Sequence, residues 1–176
     1  MFVAKNDTKV IIRTGHLDDA DTVLDIQRDV ISESDYFIAV SDEYNKTLEQ
    51  QREWLQKLLE NDRETILVAE INGVVVGLIV FSSQNRKRLS HTGSFGMMIS
   101  KDYRNIGIGK MLLKSLLEWA TNNPLIEKVS LGVFSTNHRA ISLYKSMGFI
   151  EEGRKIKEFK INDNEYVDDI LMYKWV

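Results

Sequence analysis

A strand–helix–strand segment between residues 91 and 134 constrains the fold more than any other part of the sequence. Residues 91–99 predict a strand that two glycines weaken, and residues 128–134 predict the next strand. Residues 106–121 predict an amphipathic helix, because one stripe along it consists of Ile108, Leu112, Leu116 and Trp119. Two strands joined by one helix run parallel in the same sheet, so this segment predicts a parallel crossover.

The remaining strands read as antiparallel hairpins. Residues 65–71 and 74–81 flank Asn72-Gly73, a dipeptide that supplies the two positive-φ positions of a tight turn. A second hairpin is predicted at residues 149–160 and 166–175, and a first strand at residues 8–14. Three more helices are predicted at residues 20–31, 46–60 and 137–147. The sequence thus predicts a single α/β domain over residues 8–176 after an extension of residues 1–7. Its sheet is mixed, mostly antiparallel and seven-stranded, with helices on both faces.

Composition excludes several classes of function. The 176 residues contain no cysteine, which excludes disulfides, thiolate metal sites and a cysteine nucleophile. Three scattered histidines lack the spacing of a metal site, so no metal is expected. A net charge of −3 gives no general reason to bind nucleic acid, and no apolar run or signal peptide indicates a membrane partner or export. We therefore expect a cytoplasmic protein.

The chemistry of the chain concentrates in residues 104–110, Arg-Asn-Ile-Gly-Ile-Gly-Lys, which connect a predicted strand to the long helix. Glycines allow the backbone to turn tightly and to approach a ligand closely. The unpaired N–H groups and the dipole of a helix N-terminus favour an anion there. Four nearby cations reinforce this preference: Lys101, Arg104, Lys110 and Lys114. The loop therefore predicts a phosphate-bearing ligand.

Two common phosphate-binding motifs do not fit this loop. A P-loop requires Ser or Thr where the chain has Met111 and a glycine where it has Arg104. A dinucleotide fingerprint requires a third glycine where the chain has Leu112. On these residues alone, a glycine-rich loop that only begins a helix is the alternative interpretation.

The loop resembles the acetyl-CoA signature of the GNAT superfamily of N-acetyltransferases, [Arg/Gln]-x-x-Gly-x-[Gly/Ala], which here reads Arg104-x-x-Gly107-x-Gly109. A second block also matches, around the fifth strand and the helix after it: Asn137, Ala140, Tyr144 and Gly148-Phe149. The C-terminal quarter is similar to a bacterial RimI/RimL-like or YhhY-like subgroup, through Glu151-Glu152-Gly153-Arg154 and Tyr166-Val167-Asp168-Asp169. The order of elements fits the family over nearly the whole chain.

The resemblance implies acetyl-CoA as cosubstrate and a sheet whose fourth and fifth strands splay apart. In this family, amides of the signature loop, here those of residues 106–110, hold the pyrophosphate, and the pantetheine arm lies along the fourth strand. Gly93 and Gly96 fit a close approach of backbone there. The implied cofactor-binding residues are Met97, Met98, Ile99, Arg104, Asn105, Ile106, Gly107, Ile108, Gly109, Lys110, Asn137, Ala140 and Tyr144.

The resemblance also implies a direct transfer, in which a neutral primary amine attacks the thioester in a ternary complex. Tyr144 would protonate the leaving thiolate, and a backbone N–H near Met98 would stabilise the oxyanion. The alternative interpretation of Tyr144 is a core aromatic at helical spacing.

The general base is open at this point. Family members that acetylate ribosomal-protein N-termini carry a glutamate in the middle of the fifth strand, where this chain has Gly132. The candidates are Glu33, Asp35, His91 or a chain of water molecules. Residues 17–45 hold nine acidic residues against Arg28, which would attract a protonated amine, although a solvated helix face explains Asp18 to Asp29 equally well.

The implied function is acetylation of a small-molecule amine, with a catalytic pair of Tyr144 and Glu33. Two alternatives remain: an acetyltransferase for protein N-termini or lysines, and a non-catalytic CoA-binding sensor. A homodimer is expected by analogy only.

Overall fold

A computed structural model describes residues 2–4, 8–33 and 36–176 and arranges them around one central sheet. Within these residues the sheet has eight strands, in the spatial order β1-β2-β3-β4-β5-β6-β8-β7. They are β1 Phe2–Val3, β2 Lys9–Thr14, β3 Thr65–Ile71, β4 Val74–Ser83, β5 Thr92–Ile99, β6 Lys128–Phe134, β7 Ile150–Asn162 and β8 Glu165–Trp175. All neighbouring pairs are antiparallel except β5–β6, which is parallel.

The predicted fold class is confirmed, with one strand more than the seven expected. The additional strand is β1, in which Phe2 pairs with Val10 and Val3 pairs with Lys9. Two residues are too few to show the alternating pattern by which a strand is recognised. The predicted fourth and fifth strands are β5 and β6.

Four α-helices cover the two faces of the sheet: α1 Ala20–Ser32, α2 Leu48–Leu59, α3 Ile108–Asn122 and α4 His138–Ser146. Helices α3 and α4 pack on the face that carries Phe81, Phe95 and Leu131. Helices α1 and α2 pack on the opposite face against Val68 and Leu78. None of the helices among the described residues is long and apolar enough to cross a membrane.

The crossover that the sequence predicts is present as β5–α3–β6. Ile108, Leu112 and Leu116 are almost completely buried, so the predicted stripe is the face that packs on the sheet. The helix begins at Ile108 rather than at residue 106, because Gly107 has φ = +103° and lies outside the helical region. The predicted β3–β4 turn is also confirmed, with φ = +51° at Asn72 and +81° at Gly73.

The parallel pair β5–β6 separates after three residue pairs. The pairs are Thr92–Lys128, Gly93–Val129 and Ser94–Ser130. Beyond them β5 pairs only with β4, as far as Ile99, and β6 pairs only with β8. The expected splay is therefore present, and the opening between residues 95–99 and 131–134 is called the fork below.

Gly93 allows the close strand packing at the base of the fork. A Cβ at this position would lie 2.4 Å from Cζ of Phe81 and 2.6 Å from the carbonyl oxygen of Ser82. Gly96 is different, because a Cβ there would meet nothing within 4 Å. Of these two glycines, Gly93 is thus the one that close packing requires.

Candidate active site

The loop that enters α3 presents a row of unused backbone donors. Asn105 and Gly107 have positive φ angles of +70° and +103°, which turn the chain sharply into the helix. Within the described part of the chain, the N–H groups of residues 105–109 donate to no acceptor. The Lys110 amide, which the resemblance places in the pyrophosphate set, instead donates to the Gly107 carbonyl at 3.1 Å. The free amides are therefore those of residues 105–109, one residue closer to the N-terminus than the set of residues 106–110 that the resemblance implies.

The side chain of Arg104 ties this loop to β5 and to the end of α1. Its Nε donates to the Ile99 carbonyl at 2.8 Å, and its Nη1 and Nη2 donate to the two carboxylate oxygens of Glu33 at 2.6 and 2.7 Å. Both side chains are about three-quarters buried. The hydrogen bonds from Arg104 hold the pKa of Glu33 below its usual range.

Of the predicted base candidates, the structure describes Glu33 and His91, and these two lie apart. Glu33 is engaged by Arg104, and Asp35 lies outside the described residues. His91 precedes β5 at its paired end and stacks on Trp175 with ring centroids 6.4 Å apart. With about 3.3 Å per strand residue, His91 is about 23 Å from Met98 along the chain. The structure therefore does not bring His91 to the site.

The free edge of β5 continues toward the α3 loop. Met97, Met98 and Ile99 pair with β4 on one side and have no strand partner on the fork side. The start of α3 packs beside them, since a Cβ on Gly109 would be in ordinary contact with Ile99 Cδ1 and Met97 Cε, at 3.4 Å from each. An extended ligand along this edge would lead directly to the free amides of residues 105–109.

Asn137 caps α4 at the far end of β6. Its Oδ1 accepts from the Ala140 amide at 3.2 Å, the bond by which an asparagine caps a helix N-terminus. Its Nδ2 donates to no residue in the described ranges. The cap therefore leaves one donor available for a ligand.

Tyr144 is a buried residue of α4 with a free hydroxyl. Its ring packs edge-on against Phe95, with centroids 5.6 Å apart, and contacts Phe149. No described residue hydrogen-bonds to the hydroxyl, and burial raises its pKa to about 12. The phenol is therefore protonated at neutral pH. The ring is therefore a core aromatic, as one of the two interpretations of the sequence has it. The hydroxyl makes no hydrogen bond to a described residue and is available to a ligand.

Sequence reasoning missed one carboxylate beside the fork. Gly132 lies on the β6 wall, and a Cβ at this position would lie 2.8 Å from Oδ1 of Asp169 on β8. Asp169 is only 7% exposed. The available signal was an acidic pair, Asp168-Asp169, in a strand that is otherwise largely apolar.

The acidic region 17–45 is largely a solvated surface. Asp18, Asp21 and Asp25 are exposed on or beside α1. Besides Glu33, Asp19 is an exception, because Arg13 donates to both its oxygens at 2.7 and 2.8 Å and the His16 amide donates at 2.7 Å. These bonds hold the pKa of Asp19 below its usual range and give it a structural role.

Comparisons with known proteins agree with this arrangement. The model of the acetyltransferase (GNAT) family matches residues 30–149. The L-amino acid N-acetyltransferase AaaT of Escherichia coli is 34% identical over 119 residues, which cover 68% of this chain and 73% of that protein. An N-alpha-acetyltransferase of Sulfurisphaera tokodaii is 30% identical over 174 residues, which cover 94% and 90% of the two chains.

A solved structure extends the likeness to the whole fold. The acetyltransferase of the GNAT family from Streptococcus pneumoniae superimposes with a TM-score of 0.91 at 29% identity, covering 96% of this chain and all of that one. The family match spans well over half of the chain and includes the α3 loop, the fork and Tyr144. The chain therefore belongs to the acetyltransferase (GNAT) family and is an acetyl-CoA-dependent N-acetyltransferase.

Proposed function

We propose that this enzyme acetylates the primary amine of a small molecule by direct attack on acetyl-CoA in a ternary complex. The observation that carries the proposal is the combination of free amides at residues 105–109, an open β5 edge beyond Ser94, and a Tyr144 hydroxyl without a partner whose ring contacts Phe95 of β5. An anion fits the amides and an extended arm fits the edge. An acyl-cysteine route has no nucleophile, since the chain lacks cysteine.

In this proposal the pyrophosphate accepts hydrogen bonds from the amides of residues 105–109, at the positive end of the α3 dipole. Lys101 and Lys110 add positive charge beside it. The pantetheine arm pairs with residues 97–99, and Asn137 Nδ2 donates to one of its carbonyl groups. The thioester then lies within the fork.

Glu33 serves in this arrangement as a positioning residue for Arg104. A carboxylate with a lowered pKa and two charge-assisted hydrogen bonds is a poor proton acceptor. The same bonds fix the guanidinium, which fixes the end of β5 through the Ile99 carbonyl. Removing Glu33 would therefore disturb cofactor binding before it disturbs proton transfer.

The Tyr144 hydroxyl stabilises the leaving group. Burial raises the pKa of this phenol to about 12, so complete transfer of its proton to the thiolate is less favourable than from a solvated tyrosine. We therefore assign to it a hydrogen bond that strengthens as the C–S bond breaks. A backbone N–H near Met98 is the proposed donor to the oxyanion. The register of β5 on β4 turns the Met98 amide itself toward Leu78, so the Met97 and Ile99 amides are the ones that face the fork.

The similarity to AaaT supports a free amino acid or a related small amine as the acceptor. The test is release of CoA with a panel of L-amino acids, polyamines, aminoglycosides and short peptides. We expect turnover with at least one small amine. Turnover with peptides alone would refute a small-molecule acceptor.

Acetylation of protein N-termini is the second candidate. The similarity to the Sulfurisphaera N-alpha-acetyltransferase supports it, because that similarity extends over nearly the whole chain. Peptides with a free and a blocked N-terminus distinguish this activity from lysine acetylation.

Assembly and location are further proposals. Strand β7 is an edge of the sheet and exposes Ile150, Ile156 and Ile161 by 61%, 67% and 46%. Exposed apolar edge strands favour pairing with another chain, so we propose a homodimer across β7. Analytical ultracentrifugation of the wild type and of Ile156→Lys tests it. The cytoplasm is the proposed location, which cell fractionation would test.

A further inference from the structure

Asp169 is a buried carboxylate that the fold does not use fully. It lies on β8 opposite Phe134 of β6, and its side chain is 10% exposed. Its Oδ1 is buried and accepts no hydrogen bond among the described residues. An unsatisfied buried acceptor is costly to a protein, so its presence beside a reaction site indicates a use.

The charged neighbour of Asp169 does not satisfy this oxygen. Lys155 of β7 places Nζ 3.6 Å from Oδ2 and is half exposed, and Oδ1 has no hydrogen-bond partner among the described residues. Oδ1 instead faces the backbone of Gly132, where a Cβ would lie 2.8 Å away. The absence of a side chain at position 132 is therefore what makes room for the carboxylate.

Gly132 places this carboxylate at the reaction site. It lies two residues beyond Ser130, the last β6 residue that pairs with β5, and is exposed on the β6 wall of the fork. Leu131 and Val133 point to the α3 and α4 face, so position 132 belongs to the opposite face of the strand. An acceptor that enters from that face meets Asp169 beside the thioester.

We propose that Asp169 binds the acceptor amine and receives its proton as the new C–N bond forms. The amine nitrogen attacks the thioester carbon, and one N–H proton passes to an Asp169 oxygen, directly or through one water molecule. The carbonyl then re-forms as the C–S bond breaks, and the thiolate leaves hydrogen-bonded to Tyr144. The inference rests on the proposed acetyl transfer at the fork.

The neighbouring acid provides a matched control. Asp168 is bonded within the fold, because its Oδ1 accepts from the Lys157 amide at 2.8 Å and its Oδ2 lies 3.4 Å from Arg154. Asp168→Asn should therefore lower the melting temperature and leave kcat within about twofold. Asp169→Asn keeps the size of the side chain and loses only the ion pair with the half-exposed Lys155, so it should change the melting temperature little.

The test is steady-state acetylation of whichever L-amino acid or polyamine the wild type uses fastest. Asp169→Asn should lower kcat by about 10²–10⁴-fold, the usual contribution of a general base, while calorimetry shows unchanged acetyl-CoA affinity. Asp169→Ala combined with Gly132→Asp returns a carboxylate to the same space from β6. The double variant should have a kcat at least about tenfold higher than that of Asp169→Ala alone, because a carboxylate is again present to act as the base.

The outcomes separate this inference from the proposed function. A wild type that binds acetyl-CoA but acetylates none of the amines overturns both. If kcat of Asp169→Asn is within about twofold of the wild-type kcat, the role of Asp169 is overturned and the proposed acetyl transfer is not. A large loss in both Asp168→Asn and Asp169→Asn, with equal losses of melting temperature, assigns the pair to the fold and also overturns it.

Discussion

Replacement of Tyr144 by phenylalanine separates the hydroxyl from the ring. The ring packs against Phe95 and Phe149 and is retained, while the hydroxyl has no partner among the described residues. Removing it breaks no hydrogen bond of the resting fold, so stability should be unchanged or slightly higher. A hydrogen bond to a charged group is worth about 1.5–3 kcal/mol, so its loss from the transition state should lower kcat about 10- to 150-fold.

The measurement is steady-state kinetics with saturating acetyl-CoA, under conditions shown to be limited by chemistry. Calorimetry should give an acetyl-CoA affinity within about twofold of the wild type, because the lost interaction strengthens only as the thiolate forms. A kcat within about twofold of the wild type would refute a role for the hydroxyl. A loss above about 10³-fold would instead show that the phenol transfers its proton completely.

Three other perturbations test the loop, the Arg104 clamp and the acidic region. Gly107→Ala forces a side chain onto φ = +103°, so it should lower the free energy of unfolding in urea by about 1–2 kcal/mol and weaken acetyl-CoA binding. The control Gly153→Ala should do neither. Glu33→Gln should raise KM for acetyl-CoA about fivefold, because the ion pair with Arg104 contributes about 1 kcal/mol, and it should change kcat little. A large decrease of kcat with an unchanged KM would instead identify Glu33 as the base. Because the folded pKa of Asp19 is below its unfolded value, its stabilisation is complete above about pH 4 and is lost as pH falls further. The wild type should therefore exceed Asp19→Asn in unfolding free energy at pH 7, and this advantage should shrink as pH falls below about 4; a constant difference would contradict the assignment.

Local sequence was sufficient for most of the secondary structure and for the cofactor side of the site. The Asn72-Gly73 turn, the Asn137 cap and the glycine-rich entry to α3 depend on the backbone preferences of a few consecutive residues. The crossover followed from periodicity along α3. Of the described strands and α-helices, only β1 was not predicted, because a two-residue strand depends entirely on its partner, β2.

The acceptor side of the site depends on contacts between distant parts of the chain. Glu33 meets Arg104 across 71 residues, and this contact converts a base candidate into a clamp. Asp169 meets Gly132 only because β8 pairs with β6 in one register, and a shift by one residue would turn Asp169 to the other face of the sheet. The sequence by itself thus determined the elements and the phosphate-binding loop, since these follow from neighbouring residues. Only the tertiary structure decided which carboxylate faces the fork, because strand register and side-chain packing are set by the whole sheet.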